Sequence, residues 1–280
     1  MVWCKQWFIE ATLIGVLLGI GFVVPPLWFV GLIGVAGLVR ALLQRTWCTW
    51  KVVWYIWFIK TLCVTSWLWA IYPIDWLGVP LGAYELPLIF FYWTTVAGAL
   101  SLGGVVFYVG YRLCVRFVVV KYIYVCVPVL WLLAELAGSF FFSLLLHGPG
   151  GTIGITFSMG YIGYLLAEHN ILFEVAQIVG VYGLSVLYVG VACLGVWLSQ
   201  VTTVSRVVVG FVLFWVVGLI SLPDVTPTTQ GVYNVAVVDT QISASDWDGD
   251  SVPATRKILQ DALSAAKAAG ADVFITGDVK

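Results

Sequence analysis

The sequence predicts a polytopic α-helical membrane bundle of about seven spans, followed by the first βαβ unit of an α/β domain. Hydrophobic residues make up 62% of the chain and charged residues only 10%, whereas about 25% of a soluble domain is charged. The apolar residues fall in blocks of roughly twenty, the length that crosses a bilayer. Only residues 231–280 have the mixed composition of a soluble fold.

The candidate spans are defined by the apolar blocks. The first block is expected to stay as a helix, because no small-x-small cleavage site of a signal peptide precedes Pro25 and Pro26. The seven predicted spans are residues 7–24, 27–43, 52–71, 86–110, 122–146, 175–198 and 207–222.

The orientation of the spans is predicted from eight of the thirteen basic residues, those at the N-terminus and in the loops after spans two, four and six. They are Lys5, Arg40, Arg45, Lys51, Arg112, Arg116, Lys121 and Arg206. The loops after spans one, three and five contain no Lys or Arg. The positive-inside rule therefore predicts a cytoplasmic N-terminus and places residues 231–280 outside. The stretch 147–174 is short and interrupted by glycines, so we expect an arm lying on the outer surface.

Two charged residues fall inside predicted spans, Lys60 in span three and Glu135 near the middle of span five. A charge at that depth costs roughly 2.5–3.5 kcal/mol on insertion scales, so both side chains should face the bundle interior or water. Both spans run from inside to outside, so the two residues can pair. The pair is interpreted either as a structural tie between helices or as a lipid-headgroup or proton site.

The cysteines show no pattern of a disulfide framework or a zinc site. No CxxC pair occurs, and we expect the side chains to pack as small apolar groups. The sequence also has no phosphate-cradling glycine loop, and we predict no metal, no cofactor and no nucleic-acid partner. The six cysteines, all in or beside predicted spans, are Cys4, Cys48, Cys63, Cys114, Cys126 and Cys193.

The polar stretch 224–231 contains Pro227 and Gly231 and predicts a linker between the bundle, 1–223, and a second domain, 232–280. In that domain, residues 233–242 predict a buried strand, 251–269 a helix and 272–276 a second strand. This order implies parallel strands with a right-handed crossover. One crossover helix covers only one face of such a sheet, so we expect the chain to be truncated within this domain.

Four stretches carry a family resemblance: Trp131-Leu-Leu-Ala-Glu135, Ala176-Gln-Ile-Val-Gly-Val-Tyr-Gly-Leu-Ser185, Val238-Asp-Thr-Gln-Ile242 with Trp247 after it, and Ala271-Asp-Val-Phe-Ile-Thr-Gly-Asp278. They resemble the apolipoprotein N-acyltransferase family, which joins a membrane bundle to a nitrilase-like (carbon–nitrogen hydrolase) αββα domain. The second stretch is the most specific. The resemblance implies a multi-pass protein of the bacterial inner membrane whose C-terminal domain is periplasmic or extracellular.

The resemblance also implies a Glu-Lys-Cys triad. The cysteine attacks an acyl ester of a phospholipid donor, and the acyl group then passes to the diacylglyceryl cysteine of an apolipoprotein acceptor. Asp278 falls at the position of the family's Glu and is one methylene shorter. No residue of the chain matches the triad's Lys or Cys, so we expect residues 1–280 to be inactive alone.

Two other functions stay open on the residues alone. One is a non-catalytic polytopic membrane protein in which the βαβ unit is a remnant binding domain. The other is a transporter with Lys60 and Glu135 in its pathway, for which a two-fold repeat of spans is typical. We find no such repeat.

Overall fold

The computed structural model divides the chain into two compact units, Met1–Tyr72 with Ala83–Asp224 and Pro73–Gly82 with Val225–Lys280. The structure describes residues 2–45, 47–74, 82–118, 122–148, 153–155, 157–166, 170–201, 235–238, 260–261, 263–265, 267–268 and 273–276.

The first unit is helical. Its described residues form six α-helices, α1 (Val2–Val23), α2 (Val30–Gln44), α3 (Trp50–Val64), α4 (Glu85–Phe117), α5 (Ile123–Leu145) and α6 (Asn170–Val201). Short 3-10 helices adjoin them. Pro25–Leu27 lies between α1 and α2, Thr65–Ile71 extends α3, Gly82–Tyr84 leads into α4, and Ile162–Leu166 precedes α6.

The helices identify this unit as a helical membrane bundle. Among the described residues, four helices are long and apolar enough to cross a membrane: Trp50–Ile71, Gly82–Phe117, Ile123–Leu145 and Val175–Gln200. Two further apolar helices, at the positions of the first two predicted spans, are shorter. The seventh predicted span, 207–222, lies outside the described residues.

The six helices pack as a closed ring. Going around it, the main contacts join α1 to α3, α3 to α4, α4 to α5, α5 to α6, α6 to α2 and α2 back to α1. Helix α4 therefore lies between α3 and α5. Trp57, Phe107 and Trp131, from α3, α4 and α5, are buried together inside the bundle. Large apolar side chains such as Phe91 and Val125 lie exposed on its outside, which suits contact with lipid.

The segment 157–166 contradicts the prediction of an arm on the outer surface. Tyr161, Ile162, Leu165 and Leu166 are buried, and three of them belong to the main core. The segment packs against α6. Irregular backbone inside a membrane domain is tolerated where it is buried in protein or lines a cavity. The glycines that argue against a spanning helix here permit this close packing. We call residues 157–166 the α5–α6 segment.

Helix α6 is broken at Gly180, where φ is 65° and ψ is −178°. This left-handed, extended conformation is open to glycine and strained for other residues. The α5–α6 segment packs just beyond the break, since a Cβ on Gly163 would lie 2.5 Å from the carbonyl oxygen of Val181. The break and the segment are thus parts of one irregular region of the bundle.

In the second unit, the described residues form two short strands, β1 (Val235–Val238) and β2 (Val273–Thr276). They pair in parallel, with Val235 opposite Val273 and Val238 opposite Thr276. The described residues 260–261, 263–265 and 267–268 between them have helical backbone. The assignment of this unit to a nitrilase-like domain stays a prediction.

Candidate functional site

The candidate site is centred on the carboxylate of Glu135, near the middle of α5. Its Oε1 atom accepts hydrogen bonds from the Lys60 ammonium at 3.4 Å, the Trp131 indole at 2.9 Å and the Ile162 backbone N–H at 2.7 Å. The side chains of Lys60 and Glu135 are each only 2% exposed. One buried oxygen thus joins α3, α5 and the α5–α6 segment, and we call this group the Glu135 site.

Helical spacing explains part of the Glu135 site. Trp131 and Glu135 are four residues apart on α5, and Trp57 and Lys60 are three apart on α3, so each pair shares a helix face. The Lys60 ammonium lies 5.7 Å from the centre of the Trp57 ring and 5.5 Å from that of Trp131. Cation–π attraction offsets part of the cost of burying this ammonium, and the carboxylate supplies its counter-charge.

The aromatic wall of the site is continuous. The ring centres of Trp57 and Trp131 are 4.4 Å apart, and Phe107 of α4 contacts both rings. Phe107 is fully buried. An apolar wall keeps water from the charges, so their attraction is stronger than at the protein surface. The Lys60–Glu135 ion pair therefore links α3 and α5 past the helix that lies between them.

The α5–α6 segment is held by hydrogen bonds from both flanking helices. The first N–H groups of a helix have no partner within it. In the 3-10 helix Ile162–Leu166, the Ile162 N–H reaches Glu135, and the Gly163 N–H donates to Ser185 Oγ at 3.0 Å. Ser139 Oγ donates to the carbonyl oxygen of Glu135 at 3.1 Å and lies 2.8 Å from the Tyr161 hydroxyl. The carboxylate of Glu135 thus caps the segment.

The second carboxylate oxygen of Glu135, Oε2, is buried and has no hydrogen-bond partner among the residues that the structure describes. Leaving a buried acceptor unpaired costs about 1–3 kcal/mol. Since three donors converge on Oε1 and none of the described groups reaches Oε2, the Glu135 site retains one open acceptor.

Of the three site residues predicted from the sequence, the structure describes two, Lys60 and Glu135. It brings Lys60 and Glu135 into contact, as the interpretation of a paired buried charge requires. Asp278 lies outside the described residues, so its geometry is not part of the site. Sequence reasoning missed Tyr161, because segment 147–174 was assigned to the surface, and it gave Ser185 only as the end of a family-like stretch, without a role in holding that segment. The hydroxyl of Ser185 within the apolar α6 was the one available signal.

The cysteines occupy packing positions in the described part of the chain. Cys48 and Cys193 are buried, and Cys63, Cys114 and Cys126 are half-buried, all as free thiols. Cys48 lies between α2 and α3, where burial raises the pKa of its thiol to about 12. This thiol is therefore protonated at neutral pH and is a poor nucleophile. The described residues contain no group of three His, Cys, Asp or Glu side chains able to hold a metal ion.

No family model, no curated protein and no solved structure matches this chain. The fold and the site define a class, a helical membrane protein with a buried carboxylate–ammonium pair at its centre.

Proposed function

We propose that this chain is an apolipoprotein N-acyltransferase-like protein of the bacterial inner membrane. One observation carries the proposal: two stretches that resemble this family bind neighbouring residues of the α5–α6 segment. Glu135 ends the first stretch and accepts a hydrogen bond from the N–H of Ile162, while Ser185 ends the second and accepts one from the N–H of Gly163. Both stretches therefore hold the same segment of the bundle, which supports a shared structural role for them.

The proposed reaction transfers an acyl group in two steps. A cysteine thiolate attacks the ester carbonyl of a phospholipid, the C–O bond breaks, and lysophospholipid leaves with a proton. The α-amine of the apolipoprotein's diacylglyceryl cysteine then attacks the thioester, forming an amide and returning the thiol. Asp278 falls in sequence at the position of the family's base, and the triad would also need a Lys and a Cys, which no residue of 1–280 matches.

Residues 1–280 alone are expected to show no turnover, because each of their six cysteines lies in or beside an apolar span and none in 231–280. The assay follows conversion of a diacylated lipopeptide to its triacylated form with phospholipid as donor. Any longer product of the same gene that carries this Lys and Cys is expected to be active. Turnover by residues 1–280 alone, or none by that longer product, would contradict the proposed function.

In an active longer product, Asp278→Asn is expected to abolish turnover, because an amide cannot take the proton of the thiol. Asp278→Glu is the matched control, since it keeps the carboxylate and restores the family's side-chain length. A catalytic group misplaced by about 1 Å can cost on the order of a hundredfold in rate, so Asp278→Glu should be at least as active as the parent protein. Equal activity of both variants would exclude Asp278 as the base.

The proposed orientation has a cytoplasmic N-terminus and residues 231–280 outside the cytoplasm. Its basis is the distribution of basic residues. Reporter fusions made after Arg45, Arg116 and Ser221 are expected to report inside, inside and outside. An inside signal after Ser221 would contradict the proposed orientation. It would also contradict the proposed acyltransferase function, because the catalytic domain must lie on the same side of the membrane as the lipoproteins.

The geometry of the Glu135 site favours a structural tie over a transport pathway. Lys60 and Glu135 are sealed from solvent, and indole rings flank the ammonium. A transport pathway needs alternate access of such charges to water. In the acyltransferase, this tie would hold α3 and α5 of the membrane bundle together.

A further inference from the structure

The α5–α6 segment also forms one wall of a cleft. The cleft has a volume of about 460 Å³, which is within the range of roughly 300–1,000 Å³ that is typical of small-molecule sites. The opposite wall comes from α1 and from the end of α3 with its 3-10 extension. The lining residues are Phe22, Val64, Trp67, Phe157, Ser158, Met159, Gly160 and Tyr164.

The cleft is built on a constrained backbone. Gly160 has a φ of 73°, and a Cβ at this position would lie 2.6 Å from a methyl carbon of Val64. Only glycine meets both conditions without strain. The next residue, Tyr161, contacts Ser139 through its hydroxyl, and Ile162 is bound by Glu135. The wall of the cleft is therefore fixed by the Glu135 site.

The lining of the cleft is apolar with one polar spot. Phe22, Val64 and Met159 supply apolar surface, and among the described lining residues none is charged. The polar spot is the hydroxyl pair of Ser158 and Tyr164, whose oxygens are 2.6 Å apart. Two hydroxyls that share one hydrogen bond still have one O–H left to donate elsewhere. The cleft thus offers one hydrogen-bond donor beside an apolar wall.

The rim of the cleft is aromatic and open. Trp67 is 52% exposed and Tyr164 43% exposed. Amphipathic rings of this kind are enriched where a membrane meets water. That is the depth at which the ester groups of phospholipids lie, above their hydrocarbon chains. The cleft thus combines an aromatic rim, one hydrogen-bond donor and an apolar wall, the kinds of contact that an ester group and a hydrocarbon chain can each use.

We infer that this cleft binds one ester-linked acyl chain of a glycerophospholipid. The chain lies along Phe22, Val64 and Met159, and the ester carbonyl accepts a hydrogen bond from the Ser158–Tyr164 pair. Because no charged residue lines the described cleft, the site recognises the ester group and the acyl chain and does not select among headgroups. Lipid binding at this cleft is independent of acyl transfer, because none of the described lining residues belongs to the proposed triad.

The test uses the full 280-residue chain in nanodiscs with phospholipids that carry a photoreactive diazirine on one acyl chain. Labelled residues are mapped by mass spectrometry. Labelling at the cleft is expected to be equal for zwitterionic and anionic headgroups. It should fall about two- to tenfold when the labelled chain is ether-linked, because the carbonyl acceptor is lost. Labelling that follows the headgroup would overturn the inference.

Two sets of variants separate the cleft from general lipid contact. The double variant Ser158→Ala, Tyr164→Phe keeps the side-chain shapes and should remove the preference for the ester. Met159→Trp should fill the cleft and reduce labelling there. Leu187→Trp is the control, since Leu187 is exposed in a separate apolar groove between α5 and α6. The inference is wrong if the hydroxyl-free double variant still prefers the ester. It is also wrong if labelling at the cleft equals labelling at the separate groove around Leu187 for every lipid.

Discussion

Lys60→Met is expected to lower the free energy of unfolding of the bundle by about 3–5 kcal/mol, because it leaves a buried carboxylate without its counter-charge. Glu135 is 2% exposed at its side chain, so water cannot replace the lost ammonium. Its remaining donors, the Trp131 indole and the Ile162 N–H, are neutral groups. The measurement is denaturant or thermal unfolding of the purified protein in detergent.

The matched control is Lys51→Met, the same change on the same helix. Lys51 is exposed, and its ammonium lies 5.6 Å from the centre of the Trp50 ring. Exposed charges contribute little to stability, so Lys51→Met should change the unfolding free energy by less than about 1 kcal/mol. Equal losses for Lys51→Met and Lys60→Met would show that the buried pair has no special energetic role.

The second large effect is expected where α4 and α5 cross. A Cβ on Gly103 would overlap the carbonyl oxygen of Ala134, and a Cβ on Gly138 would lie 2.6 Å from that of Leu100. These obstacles are backbone atoms, so no side-chain rotation relieves them and the helices must separate. Gly103→Ala and Gly138→Ala should each cost about 1–3 kcal/mol, as overpacking does.

The control for these variants is Gly98→Ala, also on α4. Nothing lies within 4 Å of the position that a Cβ on Gly98 would take. Glycine inside a helix is less stable than alanine by roughly 0.5–1 kcal/mol, so Gly98→Ala is expected to be neutral or stabilising. Unfolding followed in the same detergent compares the three variants. Similar losses at Gly98 and Gly103 would show that the close helix crossing does not govern stability.

The bundle was predictable because its signal is compositional and strong. Long apolar blocks with few charges specify membrane helices without knowledge of their partners. The pairing of Lys60 with Glu135 was predictable for a related reason. An unpaired charge inside a membrane span is costly, and each of these residues has few other charged partners within the spans. Neither inference needs the details of side-chain packing.

The rest of the site depends on contacts that a sequence pattern does not contain. The N–H of Ile162 donates to Glu135 from 27 positions away in the chain. Almost every residue type has a backbone N–H, so the sequence does not show which one binds the carboxylate. The glycines of 147–174 indicated that this stretch does not span, and the prediction of a surface arm did not consider burial inside the bundle. Gly160 and Gly163 permit this burial through contacts with Val64 and Val181.

Lys60 and Glu135 act as one buried pair, and a double-mutant cycle tests this pairing most directly. Lys60→Met, Glu135→Gln and the double variant are unfolded under the same conditions as the parent protein. Glu135→Gln keeps an oxygen for the Trp131 and Ile162 donors, so the cycle isolates the interaction of the charges.

Each single substitution leaves the other buried charge unpaired, whereas the double substitution leaves no unpaired charge. The double variant is therefore predicted to lose less stability than the sum of the single variants, with a coupling energy of roughly 0.5–3 kcal/mol. Additive losses, with no coupling beyond error, would contradict the claim that these two residues tie α3 to α5.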